Sequence, residues 1–183
     1  MKILALVNDK TEESELIGTV SLLRRAKIIV DLISVSSKID ITGSHGTRII
    51  ADKMFNKDLT DYDALFIPGG VGVMDLKDKK DVLSLINQYN NDQKLIMAIC
   101  AAPSILGVLD ILKGKKYTCY PGFEKYIMAG LHQNKGVVVA DNIITGKSVY
   151  FVTPFALEAI ERLLGLDARK NVEKQICMEE KHE

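Results

Sequence analysis

Cys100 has the most distinctive chemical setting in this chain. It stands in Met97-Ala98-Ile99-Cys100-Ala101-Ala102-Pro103, between an apolar run of strand character and one of helical character. Small residues on both sides suit a sharp strand-to-helix turn, where crowding excludes bulk. Pro103 fits the first turn of a helix, where its missing N–H costs nothing. A thiol there would sit in the partial positive charge of the helix N-terminus, which lowers its pKa. Spacing alone leaves two readings open: a nucleophile on an elbow, or a buried structural cysteine, the commonest fate of that residue. Gly69-Gly70-Val71-Gly72 follows another apolar run and is equally two-sided. It is either a tight loop that only glycine can make, or a row of backbone N–H groups facing a strand-end pocket and able to hold an oxyanion.

The remaining reactive side chains are less telling. Cys119 lies in a short apolar stretch and Cys177 in a polar tail. An odd count of three, at spacings of 19 and 58 residues, fits neither a disulfide framework nor a zinc pattern. His45 is flanked by Ser44 and Gly46, His132 follows Gly130-Leu131, and His182 is near the end. None is spaced to serve as a base for Cys100, and no two lie close enough to suggest a metal site, so each is read as a surface residue. The first strand-to-helix turn, residues 8–15, contains no glycine, which argues against a dinucleotide site for NAD or FAD. Thr145-Gly146-Lys147-Ser148 ends like a phosphate-binding loop, but Asp141 occupies the position of the required first glycine. A simple turn explains it. No cofactor and no metal is expected.

The elements that must position Cys100 follow from the apolar pattern. Strands are expected at residues 3–7, 27–35, 64–68, 94–99, 136–140 and 142–145. Helices are expected at 12–26, 79–89, 101–112 and 154–164. Residues 39–50, with Gly43 and Gly46, read as a hairpin or short irregular strands. The tail from 169 to 183 is polar, with room for a short fraying helix. Strands that are apolar throughout, alternating with helices, predict a mostly parallel sheet covered on both faces: a doubly wound, flavodoxin-like α/β fold. No linker, composition break or repeat divides the chain, so residues 1–183 are read as one domain. Ligands in such folds sit beyond the carboxyl ends of the strands, here just after Val7, Pro68 and Ile99.

Composition narrows the function class. The chain has 183 residues, 24 basic and 24 acidic, and 47% hydrophobic residues. A zero charge balance argues against nucleic acid as the primary partner. No apolar run reaches the roughly 18 residues a membrane-spanning helix needs. The first strand is too short for a signal peptide's apolar region, and a reducing cytoplasm is the expected location.

Taken in order, these residues resemble the DJ-1/ThiJ/PfpI superfamily, and more narrowly its DJ-1/ThiJ branch. The resemblance runs through Glu-Glu-Ser-Glu at 12–15, DALFIPGG at 63–70, AICAAP at 98–103 and the helical segment 155–165. It implies that Cys100 is the reactive, easily oxidised cysteine and that the Glu15 carboxyl contacts its sulfur. It implies that the N–H groups of Gly70 and Ala101 point to the same spot, with Gly69, Tyr120 and His45 as further pocket residues. The implied activity is a cofactor-independent glyoxalase or deglycase acting on small α-oxoaldehydes or their adducts. The alternative is a redox-sensing stress protein or chaperone whose cysteine oxidises to the sulfinic acid without turnover. A homodimer is also implied.

The chain departs from the family pattern in places. Relatives often carry a histidine where Tyr120 precedes Pro121. The branch commonly has arginine at the position of His45 and a Ser-Arg-Gly-Pro-Gly turn where this chain has residues 146–150. Alanine rather than histidine follows Cys100, which disfavours a peptidase. A glutamine amidotransferase is disfavoured by the missing downstream His–x–Glu.

Overall fold

The computed structural model describes residues 1–178. Its elements, in chain order, begin with β1 (Lys2–Val7), α1 (Glu13–Arg25), β2 (Ile29–Ser34), β3 (Asp40–Thr42), β4 (Arg48–Ile50), β5 (Lys53–Met54) and β6 (Ala64–Ile67). A 3₁₀ segment (Val71–Asp78), α2 (Lys80–Asn91), β7 (Leu95–Ile99), α3 (Pro103–Val108), β8 (Lys116–Tyr117) and β9 (Leu131–His132) follow. The chain closes with β10 (Val137–Ala140), β11 (Ile143–Gly146), α4 (Val152–Leu164) and α5 (Leu166–Gln175).

Seven strands form one sheet in the order β10-β11-β7-β6-β1-β2-β5, and only the β10–β11 pair is antiparallel. The expected doubly wound α/β fold is therefore present. Alternate residues of one strand feed opposite cores, because strand side chains have a period of two. Leu4 and Leu6 of β1 pack into the layer with Leu85, Ile86, Ile105 and Leu106 from α2 and α3. Ile3, Ala5 and Val7 face the layer with Leu16, Val20, Phe155 and Ile160 from α1 and α4. Each large apolar side chain buried this way contributes about 1.5–3 kcal/mol. Strand order reverses between β1 and β6, so the crevice beyond their carboxyl ends is the natural ligand position.

Several elements differ from the sequence expectation, among them the short strands β5, β8 and β9, which it did not include. The helix after Cys100 spans six residues rather than continuing to 112. Gly107 lies so close to Tyr126 and Ile127 that a neighbouring segment occupies its flank, and Asp110 at φ 56° turns the chain away. The glycine-rich loop at 69–72 runs into a 3₁₀ segment, not directly into a helix at 79. The short helix allowed for in the polar tail is present as α5 and is anchored: Val172 is fully buried, and Arg169 ties α5 to α4 through Glu158 and Glu161 while pairing with Glu173 on its own helix. The last five residues of the expected tail, with His182, lie outside the described residues. The 39–50 segment forms the expected hairpin, with Ile41 opposite Ile49. Among the described residues, no helix is long and apolar enough to cross a membrane.

Candidate active site

The backbone at Cys100 has φ 63°, in the left-handed region that residues with a Cβ adopt at a cost of roughly 1–2 kcal/mol. The surrounding hydrogen bonds hold it there. The Cys100 amide donates to the Gly146 carbonyl at 2.9 Å, the Cys100 carbonyl accepts the Tyr120 amide at 2.8 Å, and the Ala102 amide donates to the Ile99 carbonyl at 3.0 Å. The elbow expected from the small flanking residues is thus real, and its strain is locked by β11 and the loop at 120. The thiol is half-buried and free.

Glu15 reaches this thiol from the first turn of α1. It is 1% exposed, and its Oε2 accepts the Gly69 amide at 3.0 Å. The Val149 backbone and the Cys100 side chain also favour the ionised carboxyl. Glu12 organises this turn: its Oε2 caps α1 by accepting the Glu15 amide at 2.6 Å. Burial outweighs the hydrogen bonds from Cys100, Gly69 and Val149, and the Glu12 charge adds to burial, so the Glu15 pKa rises from 4.5 to about 7.

The same environment corrects one expectation about Cys100. A helix N-terminus was expected to depress its pKa. Instead burial pushes it up, and the charge of Glu15 pushes it further, against the amides of Ala101 and Gly70 that favour the thiolate. The first helical residue, Pro103, lies three residues on and has no N–H to offer. Carboxyl and thiol form a coupled pair in which one group's charge opposes the other's. Thiolate therefore forms most readily when Glu15 holds the proton.

The glycines before the 3₁₀ segment are explained by close approach. A Cβ on Gly69 would meet Glu15 Oε2 at 2.5 Å and Cys100 Cβ at 2.6 Å. Gly70 has φ 103° and lies against the backbone of Lys10 and Glu12. Bringing two acidic or nucleophilic side chains and two amides to one point requires this absence of side chains.

A pocket of about 390 Å³ opens over the thiol. It brings together Cys100, Glu15, Gly70, Ala101, Tyr120 and His45 from the sequence-based set, while Gly69 stands behind them against Glu15 and Cys100. The sequence reading missed Glu12, Phe123 and Val149 as pocket-lining residues. Only the Tyr120-Pro121-Gly122-Phe123 turn gave a usable signal, since Pro-Gly marks a turn whose corners lie together.

His45 is an exposed residue, as expected, but an anchored one. Its Nδ1 lies 3.1 Å from Glu13 Oε2 and 3.8 Å from Glu12 Oε1. The donor atoms of Glu12, Glu13 and His45 lie within 4.8 Å of one another. They are already engaged: Glu13 Oε1 accepts the amides of His45 at 2.8 Å and Thr47 at 3.1 Å, and Glu12 caps α1. The trio reads as a clamp between α1 and the β3–β4 hairpin. Cys119 is buried, with its pKa pushed up to about 12 by burial and the Glu124 charge, whereas Cys177 is exposed. The expected turn at Gly146-Lys147-Ser148 is instead the end of β11: Gly146 closes the strand, the Lys147 amide continues its pairing by donating to the Gly136 carbonyl, and the Lys147 ammonium donates to Asn134.

The profile of the DJ-1/PfpI family matches residues 1–162. Among similar proteins, DJ-1 homolog B of Arabidopsis thaliana is 31% identical over 182 residues; these are 97% of this chain but 41% of that protein, so the chain spans less than half the length of that relative. A protein of Caenorhabditis elegans named glutathione-independent glyoxalase is 29% identical, covering 96% of this chain and 95% of that one. The solved structure of oxidised Toxoplasma gondii DJ-1 superposes with a TM-score of 0.91 at 30% identity, over 96% of this chain and 97% of that one. With the profile covering most of its length and the fold shared across nearly all of it, this chain belongs to the DJ-1/PfpI family.

Proposed function

We propose that the chain is a cofactor-independent glyoxalase or deglycase that converts small α-oxoaldehydes to 2-hydroxy acids. The observation that carries this reading is that Cys100, Glu15, Gly70 and Ala101 line one open pocket, with the Glu15 carboxyl and Cys100 packed against the same face of Gly69. A glyoxalase among the relatives supports it.

The chemistry follows from those groups. The Cys100 thiol passes its proton to Glu15, and the thiolate attacks the aldehyde carbon of the substrate. The Gly70 and Ala101 amides stabilise the developing oxyanion, which takes the proton back from Glu15 to give a hemithioacetal. Glu15, again ionised, removes the C1 hydrogen as a proton and returns it to C2, while the C1 hydroxyl proton moves to the C2 oxygen. The product is a thioester of the 2-hydroxy acid. Water attacks its carbonyl, the C–S bond breaks, and the thiol is regenerated. One water is consumed and no electrons leave the system.

Tyr120 at the position of the family's histidine removes a second proton carrier, since a phenol is a poor base near neutral pH. That observation favours a second reading, in which Cys100 is a redox sensor. Two equivalents of peroxide would take the thiol through sulfenic to sulfinic acid, each releasing one water. The same amides and a protonated Glu15 would hold the new oxygens.

The deciding experiment measures methylglyoxal turnover and intact mass on one preparation, wild type beside Cys100→Ala. Turnover that disappears in the variant supports the enzyme reading. No turnover, with a clean gain of two oxygens on Cys100 under mild peroxide, overturns it in favour of the sensor. A homodimer in the cytoplasm belongs to the same proposal; sedimentation as a monomer at micromolar concentration would remove the dimer.

A further inference from the structure

One turn, Tyr120 to Phe123, contributes two aromatic residues to the lining of the pocket. The Phe123 amide donates to the Tyr120 carbonyl at 3.1 Å, with Pro121 and Gly122 at the corners and Gly122 at φ 91°. Proline sets the first corner, and glycine permits the positive φ at the second. The turn places the Tyr120 and Phe123 rings side by side, 6.4 Å apart and nearly perpendicular. It hangs directly from the nucleophile, because the Tyr120 amide donates to the Cys100 carbonyl at 2.8 Å. Glu124 ties it from behind, its Oε2 accepting the Gly122 amide at 2.7 Å. Two aromatic rings that line the pocket are therefore tethered through the backbone to the residue that carries the reacting sulfur.

The rest of the mouth agrees in character. Val71 and Val149 line it and are exposed, at 69% and 46%. Among the described residues lining the pocket there is no lysine or arginine, while Glu12 and Glu15 bring two carboxyl groups. The one histidine of the lining, His45, is turned to Glu13 and Glu12, so an anionic ligand would meet two carboxyl groups and an imidazole that already has acidic partners. At about 390 Å³ the space exceeds what a three-carbon aldehyde fills, and it falls within the roughly 300–1,000 Å³ of pockets that enclose larger organic ligands.

We propose that the Tyr120–Phe123 turn makes this pocket selective for uncharged α-oxoaldehydes bearing an apolar, above all an aromatic, substituent. The inference rests on the oxoaldehyde reading of the site and names its substrate class. The aldehyde carbon meets Cys100, and the substituent lies against the two rings. Edge-to-face contacts and apolar burial then add binding that a methyl group cannot collect.

The test compares methylglyoxal, phenylglyoxal and the anionic 4-carboxyphenylglyoxal as substrates for wild type, Phe123→Ala and Phe123→Leu. The KM for phenylglyoxal should lie at least about tenfold below that for methylglyoxal, and kcat/KM for 4-carboxyphenylglyoxal at least about tenfold below that for phenylglyoxal. In Phe123→Ala the phenylglyoxal-to-methylglyoxal ratio of kcat/KM should fall about threefold to tenfold. Phe123→Leu, which keeps an apolar filler, should fall between, and it carries the comparison if Phe123→Ala fails to fold. Equal KM values, a ratio unmoved by both variants, or 4-carboxyphenylglyoxal turned over as efficiently as phenylglyoxal would overturn the proposal. If no oxoaldehyde is turned over, the activity reading fails, and the pocket is judged separately by protection of Cys100 from iodoacetamide. Acetophenone protecting at a concentration at least about tenfold below that of acetone, with benzoate ineffective, upholds the apolar pocket. Equal protection by the three overturns it.

Discussion

Glu15 Oε2 accepts the amide of Gly69 at 3.0 Å, and the same carboxyl confronts the thiol of Cys100. One buried carboxyl thus joins α1 to the loop after β6 and to the elbow after β7. Because Gly69 would clash with both partners if it carried a Cβ, the three residues form one unit rather than three independent features.

The first prediction concerns that carboxyl. As a base Glu15 must be ionised, so kcat/KM should rise with pH through about 7. Glu15→Gln should lower kcat by about 10²–10⁴-fold and erase this limb of the pH profile. Stability should move the opposite way. A folded-state pKa of about 7 against 4.5 means that folding retains the proton, so this contribution is full below pH 4.5 and is lost as pH rises through 7. The loss is at most about 3 kcal/mol. Chemical denaturation from pH 4.5 to 8 should show the decline in wild type and a flatter curve in Glu15→Gln.

Glu13, two residues earlier, should behave in reverse. Burial alone would raise its pKa, but hydrogen bonds from the backbone of Glu13, His45 and Thr47 and from the His45 ring lower it from 4.5 to about 2. Its contribution is present above pH 4.5 and lost as pH falls through 2. Glu13→Ala leaves two amides without their acceptor and should destabilise the fold by about 1–3 kcal/mol at pH 7. Amide exchange across the β3–β4 hairpin should quicken at the same time, and an unchanged hairpin would contradict the clamp.

The elbow predicts an unusual ranking of variants. Cys100→Gly and Cys100→Ala both remove the thiol, but only glycine is at ease at φ 63°. Cys100→Gly should be the more stable of the two by about 1 kcal/mol in urea titration, the reverse of what an ordinary strand end would give.

Crowding at the loop gives a fourth expectation. Gly69→Ala must displace Glu15 or Cys100, each of which is pinned, so overpacking should cost about 1–3 kcal/mol. Activity should fall further than stability. A thermal melt and a methylglyoxal assay on the same sample would show whether the two losses separate.

Much of this protein could be read without coordinates. The apolar runs at 3–7, 64–68 and 94–99 determine buried parallel strands, because no polar residue interrupts them to mark a solvent face. Ala98, Ala101 and Ala102 around Cys100 announce a turn too crowded for larger side chains, and the paired glycines announce a close approach. The helical period of residues 154–164 likewise fixes the face that Phe155 and Ile160 bury.

What the tertiary structure alone decided is set by contacts between distant segments. That Glu15 meets Cys100 depends on β1 lying beside β6 and β6 beside β7, and no local pattern encodes strand order. The direction of the Cys100 pKa shift depends on burial and on a carboxyl 85 positions away in sequence, so the helix-terminus argument pointed the wrong way. His45 acts as a clamp only because the β3–β4 hairpin folds back onto α1. The short α3 ends where another segment occupies the flank of Gly107, and α5 holds because Val172 finds a core and Arg169 finds Glu158 and Glu161. Local sequence specifies periodicity and backbone freedom, whereas charge environment and the pairing of functional groups arise from packing between elements remote in the chain.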